Sequence, residues 1–287
     1  MLAIVGIVVV IGSILGGYLI EGGHPFALWQ PAELLIIGGA AVGTLLIANP
    51  PKVVKGVVGK IPGVFKGSPY GKQSYLEILR LQFEVYSIIR KNGMLALESD
   101  VSEPFKSELF AKAPSFIANH HAVEFFCDSL RLLIDGAAAA EVEQILQSDL
   151  ATHHEENAVS PAVLSKVADA LPGLGIVAAV MGIVIAMGAL DGPAAELGHK
   201  VASALVGTFL GILLSYGFLQ PLGSGIENLS RDESKYLQCV MVGLVAFADG
   251  TSPAVAVEQA RRVVYSSERP GSEEMNQAIA EIKRGLK

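Results

Sequence analysis

Side chains able to do chemistry are sparse in this 287-residue chain, and fewest where it is most apolar. Two adjacent histidine pairs, His120-His121 and His153-His154, are the obvious ligand candidates. Neighbours on a helix point to different sides, so neither pair is expected to grip an ion, and no metal site is expected. Cys127 and Cys239 lie in mixed or apolar runs without metal-ligand spacing and read as buried thiols. There is no phosphate-binding loop, nucleophile elbow or zinc-protease motif, so neither an enzyme nor a cofactor is expected. In "VASALVGTFLGILLSYGFLQP", Thr208 is the polar group near mid-depth. Two readings of its hydroxyl stay open: a bond back to its own helix, four residues earlier, or the lining of a wet path.

Two prolines stand near the ends of long apolar runs. Pro172 cannot donate to the carbonyl of Ala168, nor Pro221 to that of Gly217, and each ring pushes its turn open. They are either a hinge pair at matched depth or simply two helix ends. Small residues recur beside them, with Ser203, Gly207, Gly211 and Ser215 at four-residue spacing in one run and Gly175, Ala179, Gly182 and Ala186 on one face of the other. Such faces admit another helix closely, from the same chain or from a partner.

The elements carrying these residues follow from hydropathy. The chain is 51% hydrophobic and 17% charged, with mean hydropathy +0.49, the signature of a membrane protein. Its net charge of −7 argues against nucleic acid as a partner. Four runs are long and apolar enough to span a bilayer: 2–20, 33–49, 170–190 and 201–221. The first has no basic stretch before it and is expected to be a span rather than a cleaved signal. The second opens at Pro31, carries Glu33 near its positive end and stops at Pro50-Pro51. No ionisable side chain is expected inside any span, so an ion relay would need a carboxylate from another subunit.

Charge sets the orientation. Of 21 lysines and arginines, twelve lie in 51–168 and eight in 223–287, while 21–33 and 191–199 have none. The positive-inside rule then puts the large loop, the tail and both termini in the cytoplasm, with 21–32 and 191–200 outside. Lys52, Lys55, Lys60 and Lys66 would anchor the second span at the anionic inner leaflet.

The expected fold is therefore an all-α integral membrane protein with four transmembrane helices. Hairpin 1 occupies 1–50, a cytoplasmic helical domain 51–168, hairpin 2 169–222 and a helical cytoplasmic tail 223–287. "YLEILRLQFEVYSIIRKNG" has helical periodicity with Gly93 as its stop, and one or two helices are expected around Gly136. In "VSPAVLSKVADALPGLG", Ser160 is expected to cap a helix that starts at Pro161 and runs through Lys166 and Asp169 into the bilayer. Such a helix would carry motion of the third span into the cytoplasm.

The segments "GGYLIEGG", "QPAELLIIGGAAVG", "LPGLGIVAAVMGIV", "PAAELG", "VGTFLGILLSYGF", "VEQARR" and "YSSERP" together resemble the MotA family of flagellar motor stator subunits, in that family's order and end to end. Sodium-driven PomA proteins are similar, and the three-span ExbB and TolQ proteins more distantly so. The resemblance implies a proton-conducting stator in the bacterial inner membrane, with five copies around a MotB dimer that supplies the membrane aspartate. It implies Pro172 and Pro221 as coupling prolines, Thr208 as a pore-facing hydroxyl and Asp169 at the cytoplasmic mouth. It also implies Arg90 and Glu98 as contacts to the rotor protein FliG. Sodium-type members carry a threonine where this chain has Ala179, and no hydroxyl lies between Pro172 and Leu190. A hard cation wants several oxygen ligands, so the proton is the expected coupling ion; a sodium-driven stator, or an ExbB/TolQ-type energiser, is the alternative.

Overall fold

Apolar segments without water must satisfy their backbone internally, and a helix does so within one segment. The computed structural model describes residues 2–285 apart from Ala189 and Asp191, and no strand occurs among the described residues. Ala189 falls in the expected third span and Asp191 in the connection after it. The helices are α1 (Leu2–Ile20), α2 (Pro31–Ala48), α3 (Pro51–Lys66), α4 (Lys72–Asn92), α5 (Glu98–Ser102) and α6 (Pro114–Ile117). They continue with α7 (His120–Ile134), α8 (Ala139–Met187), α9 (Ala194–Ile212), α10 (Gln220–Ala248), α11 (Pro253–Val263) and α12 (Ser272–Gly285). A π-helical stretch, Leu213–Leu219, joins α9 to α10. Among the described residues, four helical stretches are long and apolar enough to cross a membrane: Leu2–Ile20, Pro25–Ala48, Ala139–Met187 and Ala194–Ala248.

Two helix boundaries differ from expectation. Ser160 and Pro161 lie inside α8, which already begins at Ala139. A proline removes one backbone bond, and both residues are buried, so packing holds the helix through that gap. At the other end of the hairpin, helix resumes at Ala194, where a loop was expected through residue 200. Gly93 does end its helix, with φ of +85°, a region open to glycine, and Gly136, with φ of +94°, separates two helices, so of one or two expected there the structure has two.

The chain divides into two compact units. The first comprises 1–67 and 156–229. Here Ile37 and Ala41 of α2 pack on Leu171 and Ala178 of α8, while Val57 of α3 meets Val163, Leu164 and Ile226. Lys60 donates to Asn157 at 2.7 Å. α1 buries none of its residues within the chain.

The second unit comprises 68–155 and 230–287 and holds the largest core. α4 and α10 approach closely: a β-carbon on Gly243 would stand 2.6 Å from Gln82 Oε1, and the Gln82 amide donates to the Val240 carbonyl at 2.8 Å. Tyr86 stacks on Phe247 with ring centroids 4.4 Å apart. Cys127 and Cys239 are buried free thiols, and burial pushes both up to about 12. Buried Arg261 bonds Glu258 and reaches the Pro270 carbonyl at 2.9 Å, and Arg269 bonds the Val264 carbonyl, so "VEQARR" and "YSSERP" tie one corner together.

Candidate functional site

The small residues of the third and fourth spans face each other inside the chain. A β-carbon on Gly211 would stand 2.6 Å from the Leu171 carbonyl oxygen and 2.9 Å from Gly175 Cα. One on Gly182 would stand 2.7 Å from Ala204 Cβ. These glycines are thus spent on contact between α8 and α9, the intrachain reading of the pattern, and they set backbone separation at the site.

That close approach creates an unforeseen pocket for Glu33. The side chain is only 5% exposed, and its Oε2 is buried with no hydrogen-bond partner among the described residues. A β-carbon on Gly207 would stand 2.7 Å from that oxygen and 3.2 Å from the Ala179 nitrogen. The absence of a side chain at 207 is what leaves room for the carboxyl group. The expectation that no ionisable group lies inside the spans therefore fails at Glu33. Its place near the positive end of α2 reads as a partner of the helix dipole, and the neighbouring α8 and α9 bury it as well. Burying such a group costs several kcal/mol unless it is neutralised or linked to an ion, which makes Glu33 a candidate functional group.

Ala179 and Thr208 belong to the same level: Gly207 packs on the Ala179 backbone, and Thr208 follows it. Thr208 is half-buried and its hydroxyl makes no hydrogen bond among the described residues, unlike Thr44, which bonds the Ala41 carbonyl at 2.9 Å. The hydroxyl is therefore free of its own helix.

A second group lies around the prolines. Pro172 sits within the continuous α8, and Pro221 is the second residue of α10. Neither proline ends a helix. The π-helical stretch directly before Pro221 widens the turn whose hydrogen bond the proline cannot make, a feature frequent at functional positions. Ser215 in that stretch is fully buried, and its hydroxyl has no partner among the described residues. Asp169 is exposed and accepts a hydrogen bond from the Gln220 amide at 2.9 Å, bridging the two proline-bearing turns.

Arg90 and Glu98 lie in the second unit. Arg90 is exposed in the last turn of α4, where its guanidinium donates to the Thr251 carbonyl at 3.3 Å. Glu98 is exposed at the start of α5, and no ion pair joins the two residues among those described. Both charges are presented outward.

Comparison with known proteins follows this geometry. Residues 4–93 match the family described as Motility protein A N-terminal, and residues 117–238 the MotA/TolQ/ExbB proton channel family. The chain is 43% identical over 284 residues to Motility protein A of Salmonella typhimurium, covering 99% of this chain and 96% of that one. It is 35% identical over 277 residues to the chemotaxis protein LafT of Vibrio parahaemolyticus, covering 96% and 97%. The fold matches a chain of C. jejuni MotAB with a TM-score of 0.79 at 23% identity, covering 94% and 98%. It also matches the flagellar MotAB stator complex from Bacillus subtilis with a TM-score of 0.72 at 24% identity, covering 89% and 92%. The chain belongs to the Motility protein A family, a multi-pass membrane branch of the MotA/TolQ/ExbB proton channel family.

Proposed function

We propose that this protein is a stator subunit of the bacterial flagellar motor, forming with MotB a proton-conducting channel in the inner membrane that turns ion flow into torque. The observation that carries this reading is its relationship to Motility protein A across nearly its whole length, at 43% identity. It acts as a channel subunit rather than an enzyme. In the proposed orientation both termini and the second unit are cytoplasmic, supported by the lysine and arginine distribution.

The ion route passes the level of Glu33, Ala179 and Thr208. MotB supplies the essential aspartate there, and Thr208 and Glu33 supply polar groups from this chain. The proton is favoured because Ala179 offers no side-chain oxygen and no hydroxyl residue lies between Pro172 and Leu190. One charge crossing about 100 mV releases roughly 2.3 kcal/mol. Neutralising the MotB aspartate changes which contacts it favours with the Thr208 and Pro172 levels, which biases the helix positions. Asp169, Pro172 and Pro221 pass that bias on, and exposed Arg90 and Glu98 present it to FliG. α1 buries none of its residues within the chain, which supports assembly with lipid and further copies, five around a MotB dimer in this reading.

The test is complementation. Expressed with its own MotB in a strain lacking both stator subunits, this chain should restore swimming, with speed insensitive to sodium at fixed pH. Steep sodium dependence would overturn the proton assignment. Copurification with a TonB-like protein instead of MotB would overturn the stator assignment.

A further inference from the structure

Three helices of the second unit bring together side chains that the stator function does not use. His121 is on α7, His153 on α8 and Glu233 on α10. Their ligand atoms all lie within 4.8 Å of one another. The imidazoles stack with centroids 4.1 Å apart, and His153 Nε2 stands 3.4 Å from Glu233 Oε2. His121 Nδ1 is buried with no hydrogen-bond partner among the described residues, so a nitrogen capable of ligation is aimed into the protein. Each residue comes from a different helix, one from each adjacent histidine pair. One member of each pair thus meets the other across the fold.

The surroundings suit a ligand set. The Tyr70 hydroxyl bonds the Glu233 carboxylate and in turn accepts from the Asn119 amide at 2.9 Å. Such an outer partner orients a metal-binding carboxylate. Glu233 and His153 keep side-chain exposures of 25% and 14%, which leaves a way in for an ion.

We propose that His121, His153 and Glu233 form a site for a divalent transition-metal ion of the zinc class, which braces α7, α8 and α10. Two imidazole nitrogens and one carboxylate oxygen are a ligand set zinc accepts, with a fourth position left for water. A tetrahedral ion needs its ligand nitrogens about 3.3 Å apart, from metal–nitrogen bonds of about 2.0 Å. Ligation in this geometry requires one imidazole to rotate out of the stack. A bound ion would stabilise this packing by mass action, independently of ion flow through the spans.

The experiment is zinc titration of the metal-stripped, detergent-solubilised complex with MotB against a chromophoric chelator. One tight zinc per copy of this chain is expected. His121→Asn and His153→Asn should each weaken it more than the roughly 10–100-fold that loss of an outer-shell partner costs, and Tyr70→Phe by about that range. His120→Asn and His154→Asn should leave it unchanged. Zinc-edge X-ray absorption of the unsubstituted complex reads the ligands without any variant. A shell of two imidazoles with oxygen supports the site. An oxygen-only shell, no tight zinc, or equal loss with the His120 and His154 variants overturns it.

Discussion

The Gln220 amide donates to the Asp169 carboxylate at 2.9 Å, joining the residue before Pro221 to one lying a turn before Pro172. Both prolines lack a backbone donor, so this side-chain link connects two turns whose internal bonding is already depleted. Its value to stability is small because the pair is solvent-accessible, about 1 kcal/mol or less. A larger effect on motility than on folding is therefore expected. Asp169→Ala and Gln220→Ala should each slow swimming while membrane levels stay normal, and the double variant should be no slower than the worse single one. Additive losses would show that the two act separately.

The carboxyl group of Glu33 and the bare Cα of Gly207 share one space. Glu33→Gln keeps the shape and removes the ionisable group, so assembly should persist while proton conduction falls, read as cytoplasmic acidification in cells expressing the complex. Gly207→Ala should also impair conduction, because its β-carbon would stand 2.7 Å from Glu33 Oε2. Shortening the acid with Glu33→Asp should recover part of that loss. Normal conduction in Glu33→Gln would remove Glu33 from the ion route.

Alanine at Gly211 meets backbone that cannot rotate away, at 2.6 Å from the Leu171 carbonyl and 2.9 Å from Gly175 Cα. Overpacking there should cost about 1–3 kcal/mol and lower the amount of assembled protein. Gly12 in α1 has nothing within 4 Å inside the chain, so Gly12→Ala should leave the isolated subunit's folding intact. Immunoblots of membranes compare the two variants directly. A loss of complex assembly in Gly12→Ala with normal subunit levels would mark α1 as a contact between chains.

The spans were legible because uncharged apolar runs have one structural solution in a bilayer, and Gly93 was legible as a helix stop for a local conformational reason, whereas Gly136 left one or two helices open. Glu33 was not, because a lone acid in a first turn reads as a dipole partner until α8 and α9 are seen to close over it. Pro221 announced a defect without saying that a π-helical stretch would absorb it. Ser160-Pro161 imitated a helix start because capping signals carry no information about tertiary packing. His121 and His153 are separated by 32 positions, and only the fold of the second unit makes them neighbours.

Arg90 and Glu98 are exposed, and the hydrogen bond from Arg90 to the Thr251 carbonyl is long at 3.3 Å. Charge reversal at such positions changes stability by within about 0.5 kcal/mol. Arg90→Glu and Glu98→Lys should therefore leave membrane levels intact while abolishing or strongly reducing rotation of tethered cells. Restoration by an opposite reversal on FliG would identify a direct contact. Undiminished rotation in the double reversal would withdraw the torque assignment.

Glu258 links the acid sensitivity of the second unit to a named pair. The hydrogen bonds from Arg261 lead in holding its carboxyl down to about 2, against an ordinary 4.5. Because the folded value is depressed, the contribution is complete above about 4.5 and is lost as pH falls toward about 2. Glu258 is 40% exposed on its side chain, so solvent screening trims the bond to about 1 kcal/mol, or a thermal midpoint shift of roughly 2–4 °C. Glu258→Gln should lower the midpoint by that amount at neutral pH and make no difference at the acid end, because the native carboxyl is then protonated too. Far-UV circular dichroism melts across this range provide the comparison. A deficit that stays constant with pH would assign the loss to packing around buried Arg261 rather than to the charge.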